Sequence, residues 1–95
     1  MNERARSWTF LTNHAAVLLC LARDPTLRIR DLSAIVGITE RATQQIIRDL
    51  ERERYITVAR AGRRNTYKVN TGRSMRHPFL KRLYRVSDLL EAFPV

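Results

Sequence analysis

Apolar residues recur along this chain with two different periods, and the change of period divides it into elements. Ala15 through Ala22 reads AAVLLCLA, apolar all round. Thr12 stands before it as an N-cap, and Asp24-Pro25 stops it, because proline disfavours helical geometry in the residue before it. The pattern predicts a helix over 13–23. With no polar face, that helix must be covered on more than one side, by the rest of the domain or by a second subunit.

Two amphipathic runs follow. Leu32, Ile35 and Val36 share one face of a helix predicted over 30–36, and the alternating triplet Leu27-Arg28-Ile29 before it predicts a very short strand. Gly37 fits a left-handed C-cap, where a side chain would clash. Ile38 plugs the turn and Thr39 caps a third helix over 40–54. In it Thr43, Ile46, Ile47 and Leu50 fall at spacings of three and four and make an inner face. Arg41, Gln44, Gln45 and Arg48 make the outer one, while Asp49, Glu51 and Glu53 gather towards the end.

The period then drops to two. YITVAR at 55–60 and TYKVN at 66–70 alternate, and AGRRN between them is turn material, so a β-hairpin with a basic tip is predicted. Residues 71–74 form a linker. His77-Pro78 opens a last helix, with proline at the tolerated first position. Phe79, Leu83, Val86, Leu90 and Phe93 recur there at spacings of four, three, four and three, a stripe suited to pairing with a second copy or to docking on the chain's own core. Trp8 and Phe10 add apolar bulk ahead of the first helix and are assigned to the same dimer interface. Residues 1–7 hold Arg4 and Arg6 but no anchor, and read as a loose arm.

Composition narrows the picture. Ninety-five residues, 44% of them hydrophobic, suffice for one core, so one domain is expected. The 18 Lys+Arg against 9 Asp+Glu leave a net charge of +9, which points to a polyanionic partner. Only Lys68 and Lys81 are lysines; the other cations are guanidinium forks suited to phosphates and guanine edges. Arg41 and Arg48 match phosphate or the O6/N7 edge of guanine, and Gln44 and Gln45 match adenine. Arg60, Arg63 and Arg64 on the hairpin would add phosphate or minor-groove contacts, with Arg30, or Arg28, on the other side. A solvated helix face is the bland reading of each residue taken singly. Four such residues beside an Arg-tipped hairpin favour double-stranded DNA.

Helix, helix, glycine turn, helix and hairpin in this order resemble the winged helix-turn-helix of bacterial transcription regulators, in particular the MarR and ArsR types. The resemblance rests on DLSAIVGITERATQQIIRDLERERYITVARAGRRNTYKV, residues 31–69, and is most family-like in IIRDLERERYI. It implies a mainly α fold with a small β-hairpin wing, ordered α-α-α-β-β-α. Residues 1–11 would be the arm, 12–71 the DNA-binding domain and 72–95 the dimerisation helix. The family usually has Gly at the place of Arg54, so a different cap is expected there. The implied function is sequence-specific regulation of transcription, as a repressor, by a homodimer with 40–54 in the major groove and the wing 60–66 on backbone or minor groove. The alternative from another class is a winged-helix interaction module docking on an acidic protein.

Several classes are disfavoured. ArsR-type metal sensors usually carry paired Cys or Cys/His ligands, whereas Cys20, His14 and His77 are too few and too scattered for a metal site. His14 is read as a capping or packing residue and Cys20 as a small buried hydrophobe. With no phosphate loop, nucleophile elbow or carboxylate pair, neither catalysis nor a cofactor is expected. The apolar run at 15–22 is too short to span a bilayer, and no secretory core follows the first residues, so a cytoplasmic protein with no membrane partner is expected.

Overall fold

Thr12 Oγ1 accepts from the Ala15 N–H at 3.1 Å and starts α1, Asn13–Arg23. The computed structural model describes residues 8–76 and 85–93. Asp24, extended ahead of Pro25, ends α1, and its carboxylate accepts from both the N–H and the hydroxyl of Thr26, at 3.0 and 2.7 Å. Those bonds hold its carboxyl below the ordinary carboxylate value. After this turn come α2, Ile29–Val36, α3, Glu40–Arg52, the strands β1, Ile56–Ala61, and β2, Arg64–Val69, and finally α4, Val86–Ala92.

The core sits where α1 crosses α2 and α3. Val17, Leu18 and Leu21 of α1 meet Leu32, Ile46, Ile47 and Leu50, with Tyr55, Ile56, Tyr67 and Val86 closing the far side. Each aliphatic side chain buried in this way contributes roughly 1.5–3 kcal/mol relative to exposure. Buried Thr43 satisfies its hydroxyl by donating to the Thr39 carbonyl at 2.9 Å, so it packs without an orphaned polar group. Burial pushes the pKa of the half-buried Cys20 thiol up, against the lowering pull of Arg23.

On α2 the face differs from the expected one. Ile29, Leu32, Ser33 and Val36 stand at the i, i+3, i+4, i+7 spacing that faces the core, whereas Ile35 is 56% exposed. Ser33 fits this inner position because its hydroxyl donates to the Arg30 carbonyl at 2.8 Å. Leu27-Arg28-Ile29 forms no strand. Ile29 already opens the helix, and the Arg28 N–H donates to the Asp31 carboxylate at 3.4 Å. A reciprocal bond is closed to arginine, whose side chain has no acceptor. Gly37, at φ 84°, takes the left-handed turn, and both its N–H and that of Ile38 bond to the Ser33 carbonyl. Thr39 then caps α3 by accepting from the Ala42 N–H at 3.0 Å.

α3 ends at Arg52, two residues short of the expected boundary. Its cap is the glycine type after all, with arginine in it. Arg54 has φ 68°, the Tyr55 N–H reaches back to the Leu50 carbonyl at 2.8 Å, and the Arg54 N–H reaches Glu51 at 3.0 Å. This closure turns the chain into β1. The hairpin is antiparallel from Ile56↔Val69 to Ala61↔Arg64, leaving Gly62 and Arg63 as a two-residue turn. Gly62 has φ 64° while Arg63 does not enter the positive region, the sign pattern of a type II′ turn. The Tyr67 N–H donates to the Pro25 carbonyl at 3.0 Å, so the α1–α2 connection meets β2 through one backbone–backbone bond where a third strand was expected.

A continuous helix through 78–93 is not what forms. Residues 77–84, with Phe79 and Leu83, lie outside the described residues. Arg85 is extended, pairs with Ser74 as an isolated bridge, and donates its N–H to Asp88 at the start of α4. The Val86 and Ser87 N–H groups bond to the carbonyls of Arg73 and Thr71. Val86 is wholly buried in this chain's core and has no surface left for a partner. Among the described residues no helix is long and apolar enough to cross a membrane.

Candidate nucleic-acid interface

The inner residues of α3 fix which side chains point away. With Thr43, Ile46, Ile47 and Leu50 buried, Arg41, Gln44, Gln45 and Arg48 are all exposed on the opposite arc, as their spacing requires. Gly37 and the Thr39 cap set the angle at which this helix follows α2.

Within the outer face the four residues divide into two pairs. Among the described residues, Arg41 and Gln44 have no hydrogen-bond or ion-pair partner on their side chains. Gln45 and Arg48 are engaged. Gln45 Nε2 donates to Asp49 at 2.9 Å, and an Arg48 terminal nitrogen donates to Gln45 Oε1 at 2.9 Å. Asp49 also accepts from Arg52 at 3.0 Å and from His14 Nε2 at 2.8 Å. The His14 bond, first among these, holds the Asp49 carboxyl below its ordinary value, with Gln45 next. His14 thus neither caps nor packs; it ties the start of α1 to α3.

The wing is fastened to the same helix. Two terminal nitrogens of Arg60 on β1 reach both oxygens of Glu51, at 3.3 and 3.2 Å, which raises the Arg60 pKa further. A terminal nitrogen of Arg64 donates to the Thr26 carbonyl at 3.1 Å, tying the hairpin to the α1–α2 connection. Arg63 occupies the tip and is exposed. Between wing and helices runs a groove of about 510 Å³ with Leu27, Ile29 and Tyr67 in its lining, and with Arg28, Arg30, Glu40, Arg63 and Arg64 around them. Four arginines around one concave surface form an anion-attracting field, to which Glu40 is the one acidic contribution among the lining residues.

The structure thus gathers Arg30, Arg63 and Arg64 at one groove, lines Arg41, Gln44, Gln45 and Arg48 along α3, and commits Arg60 to Glu51. Sequence reasoning missed Asp49, His14 and Glu51 as organisers of the face. Gln45–Asp49 at i, i+4 was open to detection as a helical pair; His14–Asp49, 35 residues apart, had no local signal. Of the interface residues assigned to a dimer, Trp8 and Phe10 are 74% and 89% exposed and pack edge to face at 4.6 Å between centroids. Phe93 is exposed, while Leu90 packs partly against the core. Among the described residues no three His, Cys, Asp or Glu side chains cluster as a metal would need.

Comparison with protein families matches residues 12–57 to the family described as winged helix-turn-helix DNA-binding. No curated protein matches the chain. The family match covers α1 through the start of β1 and stops short of the wing, which the hairpin geometry supplies independently. Helix order, glycine turn and hairpin give the chain a winged helix-turn-helix fold, and residues 12–57 of it are similar to the winged helix-turn-helix DNA-binding family.

Proposed function

We propose that the chain is a sequence-specific, double-stranded DNA-binding regulator of transcription, MarR- or ArsR-like, that represses by occupying its operator as a homodimer. α3 enters the major groove, Arg41 and Gln44 read base edges, and Gln45 and Arg48 act beside them. The wing, through Arg63 and Arg64, lies on backbone or minor groove, and Arg30 holds a phosphate from the other side. The observation that carries this reading is the pair of exposed side chains Arg41 and Gln44, without a partner among the described residues, on a helix flanked by the groove that four arginines help to line. Such side chains are free to exchange water for a base edge without first breaking a protein contact.

Dimerisation through Trp8, Phe10, Leu90 and Phe93, joined by Phe79 and Leu83, completes the reading. Two large aromatic rings left in water at the mouth of α1 support it, since exposed apolar surface of this kind favours a partner. Residues 1–11 then serve as arm, 12–71 as the DNA-binding domain and 72–95 as the pairing segment. Fluorescence anisotropy with a labelled duplex across a salt series tests the claim on DNA. Log affinity should fall linearly with log salt, at a slope of about −0.9 per phosphate neutralised. An absence of binding to any duplex at low salt would instead favour a module for acidic proteins.

A further inference from the structure

We infer that Asp49 is a positioning residue for base reading: it fixes Gln45, and through Gln45 Arg48, as one unit that presents hydrogen-bond donors to the groove. The inference rests on the DNA-binding reading above. Asp49 lies towards the α1 side of α3 and points its carboxylate into a set of donors, Gln45 Nε2 at 2.9 Å, Arg52 at 3.0 Å and His14 Nε2 at 2.8 Å. A carboxylate only accepts, so the amide nitrogen of Gln45 must face it and the amide oxygen must face the other way. That oxygen receives the Arg48 guanidinium at 2.9 Å. The polarity of the glutamine is therefore set before any ligand arrives.

The consequence is chemical. A free glutamine turns either its oxygen or its nitrogen to a base and matches adenine by using both. Here the oxygen already accepts from Arg48, and the capacity left to the pair is mostly donor: the other N–H groups of Arg48 and the second hydrogen of Gln45 Nε2, against one lone pair of Oε1. A donor array fits the O6/N7 acceptors of guanine and opposes the amino groups of adenine and cytosine. Adenine reading is thus left to Gln44, which has no such tether among the described residues. His14 anchors the whole unit to α1, so the polarity is imposed by tertiary structure as well as by helical spacing.

Selection of bound sequences from a random duplex pool tests this with the full chain, its Asp49→Ala and Gln45→Ala variants and the double variant. The wild type should enrich guanine at the position read by the Gln45–Arg48 unit. Asp49→Ala should lower guanine-over-adenine discrimination there by about 5-fold, the size of one lost net hydrogen bond, while affinity for random duplex does not fall. In the Gln45→Ala background, removing Asp49 should change nothing further. Arg52→Ala, which breaks an ion pair of Asp49 but spares the Gln45 bond, should keep the wild-type preference. Asp49→Leu, filling the same space without an acceptor, repeats the experiment should the alanine variant lose its folded circular dichroism spectrum. An unchanged preference in both Asp49 variants, or equal losses with and without Gln45, overturns the positioning role. A wild type that enriches no sequence at all overturns the underlying DNA reading instead.

Discussion

Arg54 offers a test of how α3 is ended and handed to the wing. It is the one non-glycine residue with positive φ among the described residues, at 68°, in the position where the closing bonds of α3 call for a left-handed residue. A Cβ in that region costs about 1–2 kcal/mol. Glycine removes this strain but loosens the unfolded chain by about 0.4–1 kcal/mol. The difference predicts that Arg54→Gly stabilises the protein by roughly 0.5–1 kcal/mol, a rise in Tm of about 2–8 °C for a chain of this size. The bond from the Asn70 side-chain Nδ2 to the Arg54 carbonyl survives the change, because its acceptor is backbone. Urea unfolding followed by circular dichroism measures it, with Arg54→Ala as the comparison that keeps the strain. Gly37→Ala is the mirror experiment: beyond its two chain neighbours no atom lies within 4 Å of the added Cβ, so its loss of roughly 0.5–1 kcal/mol reports backbone conformation alone. An Arg54→Gly protein no more stable than Arg54→Ala would refute the argument.

Other outcomes follow from the site. Arg41→Ala or Gln44→Ala should each cost about 1–3 kcal/mol on the preferred duplex and relax base choice, whereas Arg63→Ala should weaken all sequences alike; equal losses on specific and random DNA from all three would remove the division of roles. Asp49 has its pKa lowered in the fold, so the stability it contributes is full above 3.8 and is lost as pH falls through the lowered value. The gap in urea midpoint between wild type and Asp49→Asn should accordingly be open at neutral pH and close in strong acid; a gap independent of pH would contradict this. Replacing both Trp8 and Phe10 by serine should shift sedimentation towards monomer and make Tm independent of protein concentration, since neither ring is buried in the core and both are free to pair copies. An unchanged dimer would move the interface elsewhere.

How far the fold was legible depended on whether the signal was local. Thr12, Pro25, Gly37 and Thr39 act through neighbours one to five residues away, and the helix starts they imply hold to within a residue. Ile35 was misassigned because three apolar residues in seven fit more than one arc of a helix; the polar Ser33 takes the inner position through a hydroxyl bond that no hydropathy pattern reports. The stripe from Phe79 to Phe93 fitted one helix by spacing alone, yet Arg85 is held extended by pairing with Ser74, a contact set by the tertiary fold. At the interface the same division holds. The outward direction of Arg41, Gln44, Gln45 and Arg48 follows from periodicity, while the bonds from His14 to Asp49 and from Arg60 to Glu51 join residues that only the folded chain brings together.

The central claim is that two copies of this fold read base sequence through the outer face of α3. Selection of duplexes from a random pool by the wild-type chain, followed by affinity measurement on the enriched sequence and a scrambled one at moderate salt, tests it most directly. The account predicts an inverted repeat with half-site centres about 10–10.5 base pairs apart and at least about a 1,000-fold preference over the scrambled duplex. Enrichment of no sequence, or equal affinity for the two duplexes, would contradict it.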